Sequence, residues 1–231
     1  LATIWRWEGK VQDLLPRVLE KGEIDVRFQA VFDIRATVPV LRGYEAYARF
    51  PTAPELPTGL WFATAARMGL AEELSVATGR KALQVIDRLP GTAVLFVNTI
   101  PEAVCTLAAE VPEDTRGRVV FDLPASSFAD EEFQVADLHS AGIGVSFDGE
   151  PLAEGNLERL KASGASIDYV KVDAIDDGGS LGAIAELAEW CHRNRIFVVA
   201  KRVESSEEVD RLRDAGVDWI QGYAFGSDVT L

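Results

Sequence analysis

The sequence predicts an α/β protein: a (β/α)8 TIM-like barrel with one antiparallel strand. Three observations lead there. From Ala93 onward, six short and almost continuously apolar segments alternate with amphipathic ones, as expected of parallel strands buried on both faces. Two more strand-like runs stand in front of them, close enough to pair as an antiparallel hairpin, which brings the count to eight. Polar residues also recur at or just after the ends of successive strands, at Glu45, Asn98, Asp122, Asp148, Lys171, Asp173, Lys201 and Gln221. A closed barrel gathers its functional groups on one rim in this way. An open doubly wound sheet is the alternative architecture.

Taken in order, residues 5–21 carry Val11, Leu14, Leu15 and Val18 at helical spacing. From Ile24 the pattern changes to strand, IDVRFQAVFDI, and after a short turn at 35–38 continues as PVLRGYEAYARF. A long helical stretch follows Pro57 and breaks near Gly69. Strand AVLFVNT then leads to a helix from Pro101, RVVFDLP to one over 130–139, and GIGVSFD to one over 156–161. DYVKVD leads to a helix over 181–192, and IFVVAK to one over 206–214, with Ser205-Ser206 as its start and Gly216 as its stop. DWIQGY closes the series.

The 231 residues are read as a single domain, 1–231, with a sizeable core. Because the first residue is Leu, the chain is expected to be a piece of a longer protein whose sensory or output partners lie elsewhere. A net charge of −14 argues against duplex nucleic acid, which demands clustered Lys and Arg. A small anion is still admissible where local cations outweigh the global field. Cys105 and Cys191 form no CxxC pattern, so neither a disulfide framework nor a zinc knuckle is expected, and a reducing cytoplasm is the expected location. No apolar run reaches the length of a membrane span.

Glu45, Asn98, Asp122 and Asp148 are oxygen donors of the kind Mg²⁺ and Mn²⁺ prefer. One acid at a strand end is more often a helix cap or a surface residue; convergence of several is what points to a site. Other features read more plainly. The scattered tryptophans suit packing, and His139 and His192 lack partners at metal spacing. Ser126-Ser127 lacks a nucleophile context.

These residues resemble the EAL domain family, the cyclic di-GMP phosphodiesterases and their inactive relatives, over about 22–226. Residues 43–49, GYEAYAR, are similar to GYEALLR, with Tyr47 in place of Leu. Phe28-Gln29-Ala30 resembles YQP, Phe96-Val97-Asn98 the family's strand-end Asn, residues 170–173 LKID, and Gln221-Gly222-Tyr223 matches QGY. The resemblance implies a barrel with one reversed strand and metal ligands at Glu45, Asn98, Asp122 and Asp148. It also implies nucleotide contacts at Gln29, Glu45, Arg49, Lys171, Asp173 and Gln221, with Arg49 gripping phosphate.

The departures are specific. Asp122 is one methylene shorter than the Glu that opens the family's ExTE segment, and the second Glu is Ala125. The family's DDFGTGYSSL begins here Asp148-Gly149, so the acid of a second metal is missing. AEGVE reads Ala200-Lys201-Arg202-Val203-Glu204, which puts an ammonium where a ligand or general base is implied. The Pro that follows QGY and its Phe is absent. A two-metal mechanism needs both ions, so the resemblance implies a regulatory relative that is catalytically inactive and requires no cofactor. Cyclic di-GMP, a protein partner or a second copy of the chain are its expected partners. The alternative is a weak Mg²⁺- or Mn²⁺-dependent phosphodiesterase yielding linear pGpG. Lys201, near Asp148 and Asp173, is expected to act as a built-in counter-ion.

Overall fold

The computed structural model describes residues 2–124, 127, 135–149, 167–174 and 181–231. Ala125, Ser126, the expected helix at 156–161 and most of the altered loop after Gly149 lie outside the described residues. Eight strands close in chain order into a barrel: β1 Asp25–Asp33, β2 Val40–Arg49, β3 Val94–Asn98, β4 Val119–Pro124, β5 Gly144–Asp148, β6 Tyr169–Asp173, β7 Phe197–Lys201 and β8 Trp219–Ile220. β1 is antiparallel to both neighbours, β2 and β8. All other pairs are parallel, so β1 is the one reversed strand.

Helices α1 Ala2–Lys21, α2 Thr58–Met68, α3 Ala71–Leu83, α4 Pro101–Glu110, α5 Val135–Ser140, α6 Leu181–Arg193 and α7 Ser206–Asp214 accompany the strands. Their ends follow local chemistry. Gly69 takes a left-handed conformation, φ 71°, after α2, and Pro101 opens α4 where no amide donor is needed. At α7 the Ser205 hydroxyl accepts from the Glu208 amide while the Glu208 carboxylate accepts from the Ser205 amide, a capping box.

The continuous apolar strands feed two cores at once. One set of alternate residues, including Leu95, Val97, Phe121, Leu123, Val145, Phe147, Val170 and Val198, packs outward against the helices. The other set, Val31, Phe96, Val120, Tyr169, Val199 and Trp219, fills the inside of the barrel. A third cluster buries the predicted face of α1, Val11, Leu15 and Val18, with Trp61, Phe50 and Leu74. The Phe50 and Trp61 rings stack there at 4.3 Å. Trp61 and Trp219 thus have the packing roles expected of them.

Two glycines of the motifs answer to space. A β-carbon at Gly43 would lie 2.4 Å from the Val94 carbonyl oxygen, and one at Gly222 would lie 2.1 Å from that of Val203. The two histidines each pair with an aspartate that directly precedes a strand. His139 shares a 2.9 Å hydrogen bond with Asp168, whose carboxylate also accepts from the Val145 amide. His192 does the same with Asp218, which accepts from the Val198 amide. These pairs tie helix ends to strand starts at the barrel end opposite the polar rim. Among the described residues, no helix is long and apolar enough to cross a membrane.

The β1–β2 turn is pinned by Asp33. Its carboxylate accepts from the Arg35 backbone and guanidinium at 2.6–3.0 Å and from Arg42 at 3.2 Å. The Arg35 hydrogen bonds outweigh burial and hold the Asp33 carboxyl down to about 2. A folded value below the ordinary one near 4 stabilises above that ordinary value, and the contribution is lost as the pH falls toward 2. Asp33→Asn should therefore cost about 1–2 kcal/mol at pH 7, discounted for the exposed arginines, and progressively less as the pH falls from 4 through 2, read by urea denaturation.

Candidate functional site

Side chains at the C-terminal ends of the parallel strands turn into the barrel mouth above the apolar interior. At the centre stands Lys171 of β6, with no exposed surface. Its ammonium donates to Glu45 Oε2 at 2.5 Å and to Asp122 Oδ2, and lies 4.6 Å from the centroid of the Phe96 ring below. The Asn98 amide nitrogen donates to Glu45 Oε1 at 3.0 Å and to the Ala46 carbonyl at 3.1 Å. Lys171 is therefore the floor of the site, whereas the family resemblance implied a nucleotide contact for it.

Burial shapes the charges. It favours neutral Glu45, but the Lys171 charge and hydrogen bond, helped by Asn98 and Gln221, outweigh it and hold this carboxyl low. At Asp122 burial prevails and, with the Glu45 and Asp148 charges, pushes the carboxyl up to about 7 against the pull of Lys171. Burial works against the Lys171 charge as well, yet Asp122, Glu45 and Asp148 keep its proton firmly bound. The pair of acids thus holds one firm negative charge and one carboxyl with high proton affinity around a single ammonium.

The other half of the rim has its own cations. Lys201 of β7 donates to Asp148 and stands 3.8 Å from Asp173, and Arg202 bonds the other Asp173 oxygen. Arg202 has φ 59°, left-handed backbone in a residue with a β-carbon, which costs about 1–2 kcal/mol. These contacts agree with a counter-ion role for Lys201.

Two clefts open here. The first, of about 420 Å³, is lined by Gln29, Tyr47, Arg49, Asp173, Lys201, Arg202, Gln221 and Asp228 among others. The second, of about 350 Å³, is more apolar and reaches Asn98, Asp122 and Asp148 past Ala46, Phe62 and Pro124. Tyr47 lines both and divides them. Its hydroxyl accepts from the Gln221 amide at 2.7 Å, and burial with the Glu45 charge raises its pKa. Arg49 packs over the Tyr47 ring at 5.8 Å, and its guanidinium binds Asp228 at 2.7 Å.

The structure thus places Gln29, Glu45, Arg49, Asn98, Asp122, Asp148, Lys171, Asp173, Lys201 and Gln221 at the barrel mouth. Sequence reading did not give roles to Arg202 and Asp228. For Arg202 the signal was present in one departure from the family pattern, Arg for Gly after Lys201.

The donor set suits one hard cation. Oxygens of Glu45, Asp122 and Asp148 lie within 4.8 Å of one another, and Asp122 Oδ1 is buried without a hydrogen-bond partner. Among the described residues no second carboxylate cluster stands beside it: residue 149 is Gly, and the Lys201 ammonium bonds Asp148. A single ion would compete with Lys171 for Glu45 and Asp122.

The EAL domain model matches residues 12–228. A search of the curated proteins gave no significant match. Among solved structures, the EAL enzyme Bd1971 in its cAMP-bound form aligns with a TM-score of 0.81 at 17% identity, covering 96% of this chain and 68% of that one. The FimX EAL domain from Pseudomonas aeruginosa bound to c-di-GMP aligns at 0.77 and 19%, covering 94% and 96%. Klebsiella pneumoniae BlrP1 in its manganese/cyclic di-GMP complex aligns at 0.75 and 23%, covering 89% of this chain but 56% of that one. At these identities the likeness establishes the shared barrel.

Removing the central ammonium leaves Glu45 buried without its counter-charge. Lys171→Met should cost about 3–5 kcal/mol in urea denaturation. Excess Mn²⁺ should restore part of that loss, since the variant keeps all four oxygen donors.

Proposed function

The chain belongs to the EAL domain family, and from that premise we propose that it is a regulatory module of cyclic di-GMP signalling without phosphodiesterase activity. It acts as a nucleotide receptor or as a protein-interaction module. One observation carries this reading: the Lys201 ammonium bonds Asp148 and neighbours Asp173 where the family pattern has an acid. Phosphodiester hydrolysis with two ions requires both to stabilise the attacking and leaving oxygens. An ammonium among the carboxylates supplies positive charge there and activates no water.

Nucleotide binding has separate support. Gln29, Arg49, Asp173 and Gln221 line the 420 Å³ cleft, and solved relatives such as the Pseudomonas aeruginosa FimX EAL domain hold c-di-GMP. Glu45 and Lys171 act beneath the cleft by fixing the mouth of the barrel. A second reading, a weak Mg²⁺- or Mn²⁺-dependent phosphodiesterase yielding pGpG, draws on the convergence of Glu45, Asp122 and Asp148. Glu45, Asn98, Asp122 and Asp148 would hold that single ion, which supplies a Lewis acid for the phosphodiester.

Calorimetric titration of cyclic di-GMP should show binding in EDTA that is unchanged by Mn²⁺, with no pGpG formed. Binding only with Mn²⁺, accompanied by turnover, would establish the enzyme reading. No binding in either condition would leave a protein-interaction module. Restoring both lost acids, Lys201→Glu with Gly149→Asp, should create Mn²⁺-dependent hydrolysis. A double variant that folds, binds and stays inert would show that the silence has another origin.

A further inference from the structure

We propose that Lys201 and Arg202 join Arg49, whose phosphate contact the family resemblance already implies, in a phosphodiester clamp that lets this site hold a cyclic dinucleotide without a divalent ion. The inference rests on the receptor reading above and specifies how the anion is recognised. The three cations line one 420 Å³ cleft, a volume typical of small-molecule sites. Arg49 comes from β2, and Lys201 and Arg202 come from the end of β7, so the positive charges flank the cleft from two parts of the barrel.

Each cation already has a carboxylate partner: Asp228 for Arg49, Asp148 for Lys201 and Asp173 for Arg202. The two arginine pairs are solvent-accessible, with Arg49 and Arg202 side chains 42% and 64% exposed. Pairs this open to water contribute little, and a phosphodiester can exchange for the carboxylates. Both guanidiniums also offer a planar fork that matches phosphate oxygens.

Arg202 carries the inference furthest. Its backbone is left-handed, a conformation for which glycine is the favoured residue, and glycine is what the family pattern has at this point. The arginine is held against that backbone preference with its guanidinium at the cleft lip, and strained residues of this kind cluster at ligand sites. Asp228 adds a complementary observation. It sits on a tail pinned to β1 by paired Phe28–Val229 hydrogen bonds of 2.8 Å and presents its carboxylate to Arg49. It stands in for the phosphate in the free protein.

The test compares the parent chain, Arg202→Gly and Asp228→Asn, using calorimetry with cyclic di-GMP in EDTA and thermal shift with pyrophosphate. Arg202→Gly should keep or raise Tm, because glycine suits the backbone, yet weaken cyclic di-GMP binding about tenfold or more. Asp228→Asn should tighten binding severalfold. If the parent binds and Arg202→Gly binds equally well, the clamp is overturned and the receptor reading stands. If the parent ignores cyclic di-GMP but its stabilisation by pyrophosphate is lost in Arg202→Gly, the clamp stands and the cyclic di-GMP reading falls. A parent that responds to neither, or only with metal, overturns the clamp.

Discussion

The buried ammonium of Lys171 between Glu45 and Asp122 is the constraint on which the barrel mouth depends. Two carboxylates cannot be withdrawn from water on the axis of a barrel unless an opposite charge and further hydrogen bonds meet them. Lys171 supplies the charge, and Asn98 supplies a hydrogen bond to Glu45 while also holding the Ala46 carbonyl. The ends of β2, β3, β4 and β6 are thereby linked through side chains above the apolar interior of Phe96, Val120 and Val199. Asp122 is the strained member. One of its oxygens has no hydrogen-bond partner, and burial raises its pKa against the pull of the Lys171 ammonium.

Across the rim, Lys201 and Arg202 extend the same principle to Asp148 and Asp173. Four carboxylates thus face three cations, with the remaining deficit concentrated at Asp122. A rim of acids alone attracts divalent ions. A rim in which most acids are already paired offers anions a set of exchangeable arginines, although the chain as a whole carries −14. Lys201 and Arg202, at and just after the end of β7, bring two positive charges to a rim of carboxylates while the barrel stays closed.

The barrel was legible in the sequence because strands buried on both faces must be apolar at nearly every position. The hairpin was legible because the short link between β1 and β2 leaves no room for a crossover. The rim was legible because each polar residue ends an apolar run. What was hidden depends on distance along the chain. The Arg49–Asp228 and Tyr47–Gln221 contacts join residues from opposite ends of the sequence. No spacing rule reveals that Tyr47 divides two clefts, or that His139 and His192 meet Asp168 and Asp218. Lys171 was recognised as a site residue, but only its complete burial shows that it supports the rim from below.

Tyr47 sharpens the contrast between the two halves of the mouth. Its ring lies between a polar cleft that holds the arginines and a more apolar cleft that reaches Asp122 and Asp148. The hydrogen bond from Gln221 and the packing of Arg49 fix the ring from two sides. A phosphodiester held at Arg49 and Arg202 would therefore lie on the opposite side of the ring from Asp122. In the proposed clamp, the anion-binding groups would be separated from the oxygen donors of Asp122 and Asp148, an arrangement that disfavours hydrolysis because an ion must contact both the phosphodiester and its water. Steric division by Tyr47 and charge compensation by Lys201 thus act in the same direction, at residues that neither share a strand nor touch the same carboxylate.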